Sequence, residues 1–292
     1  MKTVTIGGSV VGDGNPVVIL AEAGINANGS VEIAKKLIDA ARAVKCNAIK
    51  WQKRTIEVVY TAEELGKPRE NPFGTTNGDL KRGLEWSREQ YAGIDSYCKQ
   101  QEFTCIASAW DEASVDFLES FGVPFFKIAS ASLTDTHLLK HHRQYKKPII
   151  LSTGMSGIEQ IDGAVEVLGT DDLILLHCVS TYPAPEEDLN LRCIQTLKER
   201  YDVPVGYSGH EIGLATTVAA VALGANVIER HITLDRSMYG SDQSASVERQ
   251  GFARLVRDIR VVEKAMGDGV KRVLETEKPI IAKLRRVDSQ GL

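Results

Sequence analysis

The chain has 292 residues, 43% hydrophobic and 25% charged, with a formal net charge of −4. Such a composition excludes disordered and collagen-like classes, and the acidic balance gives no reason to expect nucleic acid or an anionic membrane as partner. An anionic substrate would have to be drawn in by a local cluster of cations. No apolar run approaches the ~20 residues that cross a bilayer, and the opening Met1-Lys2-Thr3-Val4 carries no signal-peptide pattern. Five cysteines (Cys46, Cys98, Cys105, Cys178, Cys193) without CxxC spacing read as reduced, structural thiols of a cytoplasmic protein.

In chain order, residues 1–14 read as a short hairpin, Thr3 to Ile6 and Ser9 to Val11 about Gly7-Gly8. A first buried run, Val17 to Glu22, leads through a Gly/Asn-rich turn to Ser30. That serine is placed to cap a helix with apolar positions Ile33, Leu37, Ile38 and Ala41. Strand-like runs recur at Asn47 to Gln52, Phe103 to Ser108, Pro124 to Ser130, Pro148 to Ser152, Asp172 to Cys178, Val203 to Ser208 and Ala225 to Ile232. Amphipathic helices are predicted near 87–101, 111–121, 134–145, 157–168, 187–200 and 212–223, a last one over 250–266, and a tail over 268–292. The long connection over 53–86 has the length of an active-site lid.

Apolar strands separated by helices imply a parallel sheet covered on its outer face. Eight such pairs in 292 residues predict a single-domain (β/α)₈ TIM barrel. A doubly wound sheet would carry GxGxxG after its first strand, and Gly24-Ile25-Asn26-Ala27-Asn28-Gly29 does not fit that pattern.

Chemistry on such a barrel belongs at the C-terminal ends of the strands. Polar residues stand at all eight: Glu22, Lys50 with Gln52, Ser108, Lys127 with Ser130, Ser152, His177, Ser208 with His210, and Glu229 with His231. Burying a lysine or glutamate costs several kcal/mol unless it is paired or serves a ligand. For any single member, a structural ion pair such as Lys127 with Glu22 is the competing reading. His210 and His231 end neighbouring strands, so their imidazoles can share a catalytic divalent ion with open positions; two hydrogen-bonded core histidines are the alternative. His177 is read as inward-facing and as a hydrogen bonder rather than a third ligand. His137, His141 and His142 read as a solvated helix face. Lys50 and Lys127, with hydroxyls from Ser108, Ser130 and Ser152, form a receptor for phosphate plus carboxylate, although two lysines could serve any anion.

At these residues the chain resembles the sialic acid (nonulosonate) synthase family. The resemblance rests on Ala21-Glu22-Ala23-Gly24-Ile25-Asn26-Ala27-Asn28-Gly29, Ile49-Lys50-Trp51-Gln52, Phe126-Lys127-Ile128-Ala129-Ser130 and Leu151-Ser152-Thr153-Gly154-Met155. It continues in Leu176-His177-Cys178 with Tyr182-Pro183, Gly206-Tyr207-Ser208-Gly209-His210, Ile228-Glu229-Arg230-His231, and Asp235-Arg236 followed by Gly240-Ser241-Asp242. The resemblance implies condensation of phosphoenolpyruvate with an aldose or aldose phosphate by a homodimer. Lys50, Ser108, Lys127, Ser130 and Ser152 would hold phosphoenolpyruvate, and Ser208 joins the substrate-binding set. His210 and His231 would bind the metal, manganese first, with magnesium or cobalt as alternatives. Glu22 would position or activate water, and Gln52, Tyr182 and Asp242 would face the sugar.

The chain departs from that family pattern at four positions. Ala27 replaces a usual His, Ser132 a commonly acidic residue, Ser180 a common Asn and Gly209 a common Asp. The sequence also ends soon after Arg286 without the small C-terminal antifreeze-like domain, which puts N-acetylmannosamine in doubt as acceptor. Two rival functions are a metal-dependent or Schiff-base aldolase or isomerase, with Lys50 or Lys127 as nucleophile, and an inactive sugar-phosphate-binding paralogue.

Overall fold

The computed structural model describes residues 2–287; Met1, where the predicted hairpin segment starts, and 288–292, the end of the predicted tail, lie outside the described residues. Eight parallel strands close on themselves: β1 (Val18–Gly24), β2 (Ala48–Lys53), β3 (Thr104–Ala109), β4 (Phe126–Ile128), β5 (Ile149–Ser152), β6 (Leu173–Cys178), β7 (Val205–Gly209) and β8 (Val227–Thr233). Each pairs with the next, and β8 pairs back to β1. Helices α1 (Val31–Ala43), α2 (Arg88–Gln100), α3 (Glu112–Glu119), α4 (Thr136–Arg143), α5 (Ile158–Leu168), α6 (Cys193–Tyr201), α7 (Ala215–Ala222) and α8 (Arg249–Met266) follow the strands in turn. This is the (β/α)₈ barrel.

Local sequence explains the helix starts. Ser30 accepts from the Ile33 amide and Asp111 from the Ser114 amide, while Ser87 and Gln90 form a reciprocal capping box. Each such cap is worth about 1 kcal/mol. Strand residues alternate between two apolar regions. Ile19, Ile49, Leu173, Leu175, Val205 and Ile228 face outward and pack under Leu37, Ile94, Leu118, Leu138, Ile161 and Ile259 of the helices. Val18, Leu20, Ala48, Ile106, Ile150, Ile174, Leu176 and Val227 face inward and form a separate cluster with Val4, Ile6 and Val11 of the N-terminal hairpin. The hairpin therefore packs onto the lower interior of the barrel. Above that apolar floor, the next inward positions are the polar ones.

Four expectations need correction. The predicted helix over 187–200 starts only at Cys193, because Glu186–Asp188 form a 3₁₀ turn and Asn190 has a positive φ of 39°, which no helix continues through. The 53–86 connection is a folded excursion rather than an irregular lid. It contains helices Ile56–Val59, Ala62–Gly66 and Asn77–Leu84 and a hairpin, and it is pinned by Arg54 Nε to Glu85 at 2.7 Å. Among the described residues, none from 53 to 86 lines the barrel-mouth cavity. His142 is fully buried against Phe126, with Nδ1 2.9 Å from the Leu138 carbonyl oxygen, so only His137 and His141 belong to the outer face of α4. Finally, His177 points outward beside Tyr207, with Nε2 2.7 Å from the Leu189 carbonyl oxygen; Cys178 is the inward residue at the end of β6.

Candidate active site

The strand ends meet in a mouth cavity of about 190 Å³. Eleven of the twelve residues nominated from sequence line it: Glu22, Lys50, Gln52, Ser108, Lys127, Ser130, Ser152, Tyr182, Ser208, His210 and His231. The twelfth, Asp242, stands behind the wall, with Oδ2 3.9 Å from His231 Nδ1. Sequence reasoning assigned no role to Trp110, Met155, Cys178, Ser180 or Glu229, which also line the cavity.

Register sets the geometry. Ser108 is level with Lys127, Ser208 with Glu229, and His231 with Glu22. The floor is a buried charge cluster. Lys50 Nζ lies 2.8 Å from Glu22 Oε2 and 3.9 Å from Glu229 Oε1. Lys127 Nζ lies 3.7 Å from Glu229 Oε1 and donates to Ser152 Oγ at 2.7 Å. Lys127 therefore pairs with Glu229, not with Glu22 as the structural alternative supposed. The Ser208 hydroxyl donates to Glu229 Oε1 at 3.1 Å.

The two glutamates are driven apart. Burial pushes Glu22 up to about 7, with the neighbouring Glu229 charge adding to the effect against the pull of Lys50. Burial also works on Glu229, but the ammonium groups of Lys127 and Lys50 outweigh it and hold that carboxyl down at about 2. Glu22 Oε2, although close to Lys50, has no hydrogen bond of good geometry. Near neutrality the floor thus holds one fixed carboxylate and one that exchanges a proton readily. Burial lowers Lys127, and the Lys50 charge lowers it further.

Above the floor, the His210 and His231 rings lie 5.4 Å apart, and the Tyr182 ring lies 4.1 Å from that of His210, tilted by 38°. His210 Nδ1 is 2.6 Å from the Val179 carbonyl oxygen, which turns the opposite ring nitrogen away from the strand. Burial, reinforced by the His210 and Lys50 charges, holds His231 neutral, and its Nδ1 is buried with no hydrogen-bond partner. The backbone at Gly154 borders the pocket. A Cβ there would stand 2.2 Å from Ser180 Oγ and 2.9 Å from Ser130 Oγ, so only glycine leaves both hydroxyls in place.

A family model described as the NeuB family matches residues 37–271. The chain belongs to the NeuB family. An uncharacterized protein of Methanocaldococcus jannaschii is 41% identical over 289 residues, covering 98% of this chain and 82% of the relative. The N-acetylneuraminate-9-phosphate synthase of Mus musculus is 38% identical over 291 residues, covering 95% and 81%. The solved N-acetylneuraminic acid synthetase of Leptospira borgpetersenii, in complex with citrate, superposes with a TM-score of 0.86 at 32% identity over 98% of each chain. This NeuB-family chain is an enzyme, a transferase of the carbon–carbon bond-forming class.

The four departures from the resembled pattern have distinct surroundings. Ala27 and Ser132 are buried in the turns after β1 and β4, and Ser180 is on the cavity wall. Gly209 has no room for a side chain: a Cβ would lie 2.6 Å from Glu211 Oε2 and 2.9 Å from Arg230 Cδ. Among the described residues no helix is long and apolar enough to cross a membrane, and the five cysteines form no disulfide. No group of three or more His, Cys, Asp or Glu among the described residues is arranged as a metal cage.

Proposed function

We propose that this chain is a cytoplasmic, homodimeric, metal-dependent synthase. It condenses phosphoenolpyruvate with an aldose or aldose phosphate of the mannose or N-acetylmannosamine type. The products are a sialic-acid-like 3-deoxy-2-ulosonic acid and inorganic phosphate. The observation that carries the proposal is the stacking of two layers in one cavity, a lysine-lined floor under an imidazole pair. The synthase names of its NeuB-family relatives support the reaction class.

The imidazole pair fits a divalent ion. His231 is held neutral by burial, with Asp242 Oδ2 3.9 Å from its Nδ1 on the far side, and the His210 ring is fixed by its bond to Val179. His210 and His231 would hold such an ion, manganese above all, and when bound it would supply Lewis acidity at the aldehyde.

The remaining chemistry belongs to the chain. Lys50 and Lys127, with Ser108, Ser130 and Ser152, hold the phosphate and carboxylate of phosphoenolpyruvate and offset charge that builds up there. C3 of phosphoenolpyruvate bonds to the aldehyde carbon, whose oxygen takes up a proton and becomes a hydroxyl. Water adds at C2, and Glu22 accepts its proton; a carboxyl near 7 is suited to that exchange at neutral pH. The C–O bond between C2 and the phosphate then breaks, the C2 hydroxyl proton passes to the departing phosphate, and C2 becomes the ketone. Gln52 and Tyr182 contact the sugar side, Ser208 binds substrate from the floor beside Glu229, and Asp242 acts from behind His231.

The test is phosphate release from phosphoenolpyruvate with manganese and a panel of mannose, N-acetylmannosamine, their 6-phosphates and arabinose 5-phosphate. One acceptor should release phosphate and yield an equal amount of ulosonic acid. With ¹⁸O bridging C2 and phosphorus, the label should leave in the phosphate. Retention of label in the sugar product, or no release with any acceptor, would overturn the proposal.

A further inference from the structure

Behind the two histidines, on the outer side of β7 and β8, lies a buried ion pair that the chemistry above does not use. Arg230 precedes His231 and Glu211 follows His210; their side chains are 1% and 0% exposed and meet at 2.9 Å between Nη1 and Oε1. The arginine also donates from Nη2 to the Glu211 carbonyl oxygen at 2.7 Å and from Nη1 to the Gly213 carbonyl oxygen at 3.0 Å. Glu211 in turn accepts from Tyr207 Oη at 2.9 Å and from Thr216 and Thr217 Oγ1 at 2.8 Å each. Every anchor of this network lies on β7, on the loop and first turn of α7 that follow it, or on β8.

We propose that Arg230 and Glu211 are positioning residues that set the distance and tilt between His210 and His231, and so the affinity of that pair for a divalent cation. The inference rests on the reading of those histidines as metal ligands. The physical reason is leverage. His210 is the first residue beyond β7, where no ladder hydrogen bond fixes it to β8. The guanidinium replaces that missing ladder, tying the segment carrying His210 to the residue beside His231. A planar fork that reaches two carbonyls and a carboxylate at once has no lysine equivalent. Outer contacts that orient metal-binding imidazoles are typically worth about 10–100-fold in metal affinity.

The experiment is manganese binding to the full chain, followed by calorimetry, for wild type, Arg230→Lys, Glu211→Gln and His210→Ala. Phosphoenolpyruvate binding without metal is followed by tryptophan fluorescence. Arg230→Lys and Glu211→Gln should weaken manganese binding by about 10–100-fold while phosphoenolpyruvate binding stays within about twofold, because Lys50 and Lys127 themselves stand on β2 and β4. If neither single variant folds, Tyr207→Phe, which removes only the hydroxyl that donates to Glu211 Oε2 at 2.9 Å, should weaken manganese binding while phosphoenolpyruvate binding stays as in wild type. Wild-type manganese affinity in these variants, or an equal loss of both ligands, would overturn the positioning role. Wild type that binds no manganese, or His210→Ala that binds it undiminished, would instead sink the metal reading itself.

Discussion

His142 offers a test in which sign and size both follow from burial. Its ring is fully buried between α4 and Phe126, the residue that precedes Lys127, and its Nε2 has no hydrogen-bond partner. Burial lowers its pKa from the ordinary 6.5 to about 4. The folded chain therefore keeps the imidazole neutral in a range where the unfolded chain protonates it. Above pH 6.5 both states are neutral and the full contribution is present; as pH falls from 6.5 towards 4, stability is lost. The slope is about 1.4 kcal/mol per pH unit, or about 3 kcal/mol across the window. Replacing His142 with leucine, similar in volume and not titratable, removes this one contribution and leaves all other acid-sensitive groups alone. Urea unfolding of wild type and His142→Leu at pH 7.5 and 4.5 should show the variant gaining about 2–3 kcal/mol on wild type between the two conditions. A stability difference that is the same at both pH values would refute the assignment of a neutral buried imidazole.

Three further outcomes follow from the cavity. Lys127→Met should reduce kcat/KM for phosphoenolpyruvate by about 100-fold or more, roughly 2.7 kcal/mol, in steady-state assays; a loss below tenfold would mean that the ammonium does not meet the anion. The kcat/KM of wild type should fall about tenfold per pH unit below about 7, since the free enzyme then carries Glu22 protonated, and Glu22→Gln should be slow with no such limb. Gly154→Ala drives a methyl group towards Ser180 and Ser130. It should raise KM for phosphoenolpyruvate about tenfold, the equivalent of the 1–3 kcal/mol that overpacking costs, and Gly154→Ala/Ser180→Ala should recover part of the loss.

Most of the barrel was legible because its punctuation is strong. Ser30 announces the first helix, and eight apolar runs announce strands. Glu22, Lys50 and Lys127 were legible as site residues because a charge inside an apolar strand is costly unless it is paired or meets a ligand. The misreading of His177 arose where that contrast fails. Leu173 to Leu176 is apolar on both faces, so nothing in the run reveals which parity points inward, and the histidine drew attention from the neighbouring Cys178. His142 was lost for a related reason: it shares a helix with exposed His137 and His141, and only the packing of Phe126 shows which way it turns. The partner of Lys127 was also beyond reach, because Glu22 and Glu229 are equivalent until strand register is known.

The N-terminal hairpin has a consequence for traffic. Among the described residues, Val4, Ile6 and Val11 cork the lower end of the stave ring, and the reaction vessel opens past exposed Met155 and Tyr182. Incoming reactants and outgoing products must share that passage, so a bulky group parked at the threshold would block both directions at once.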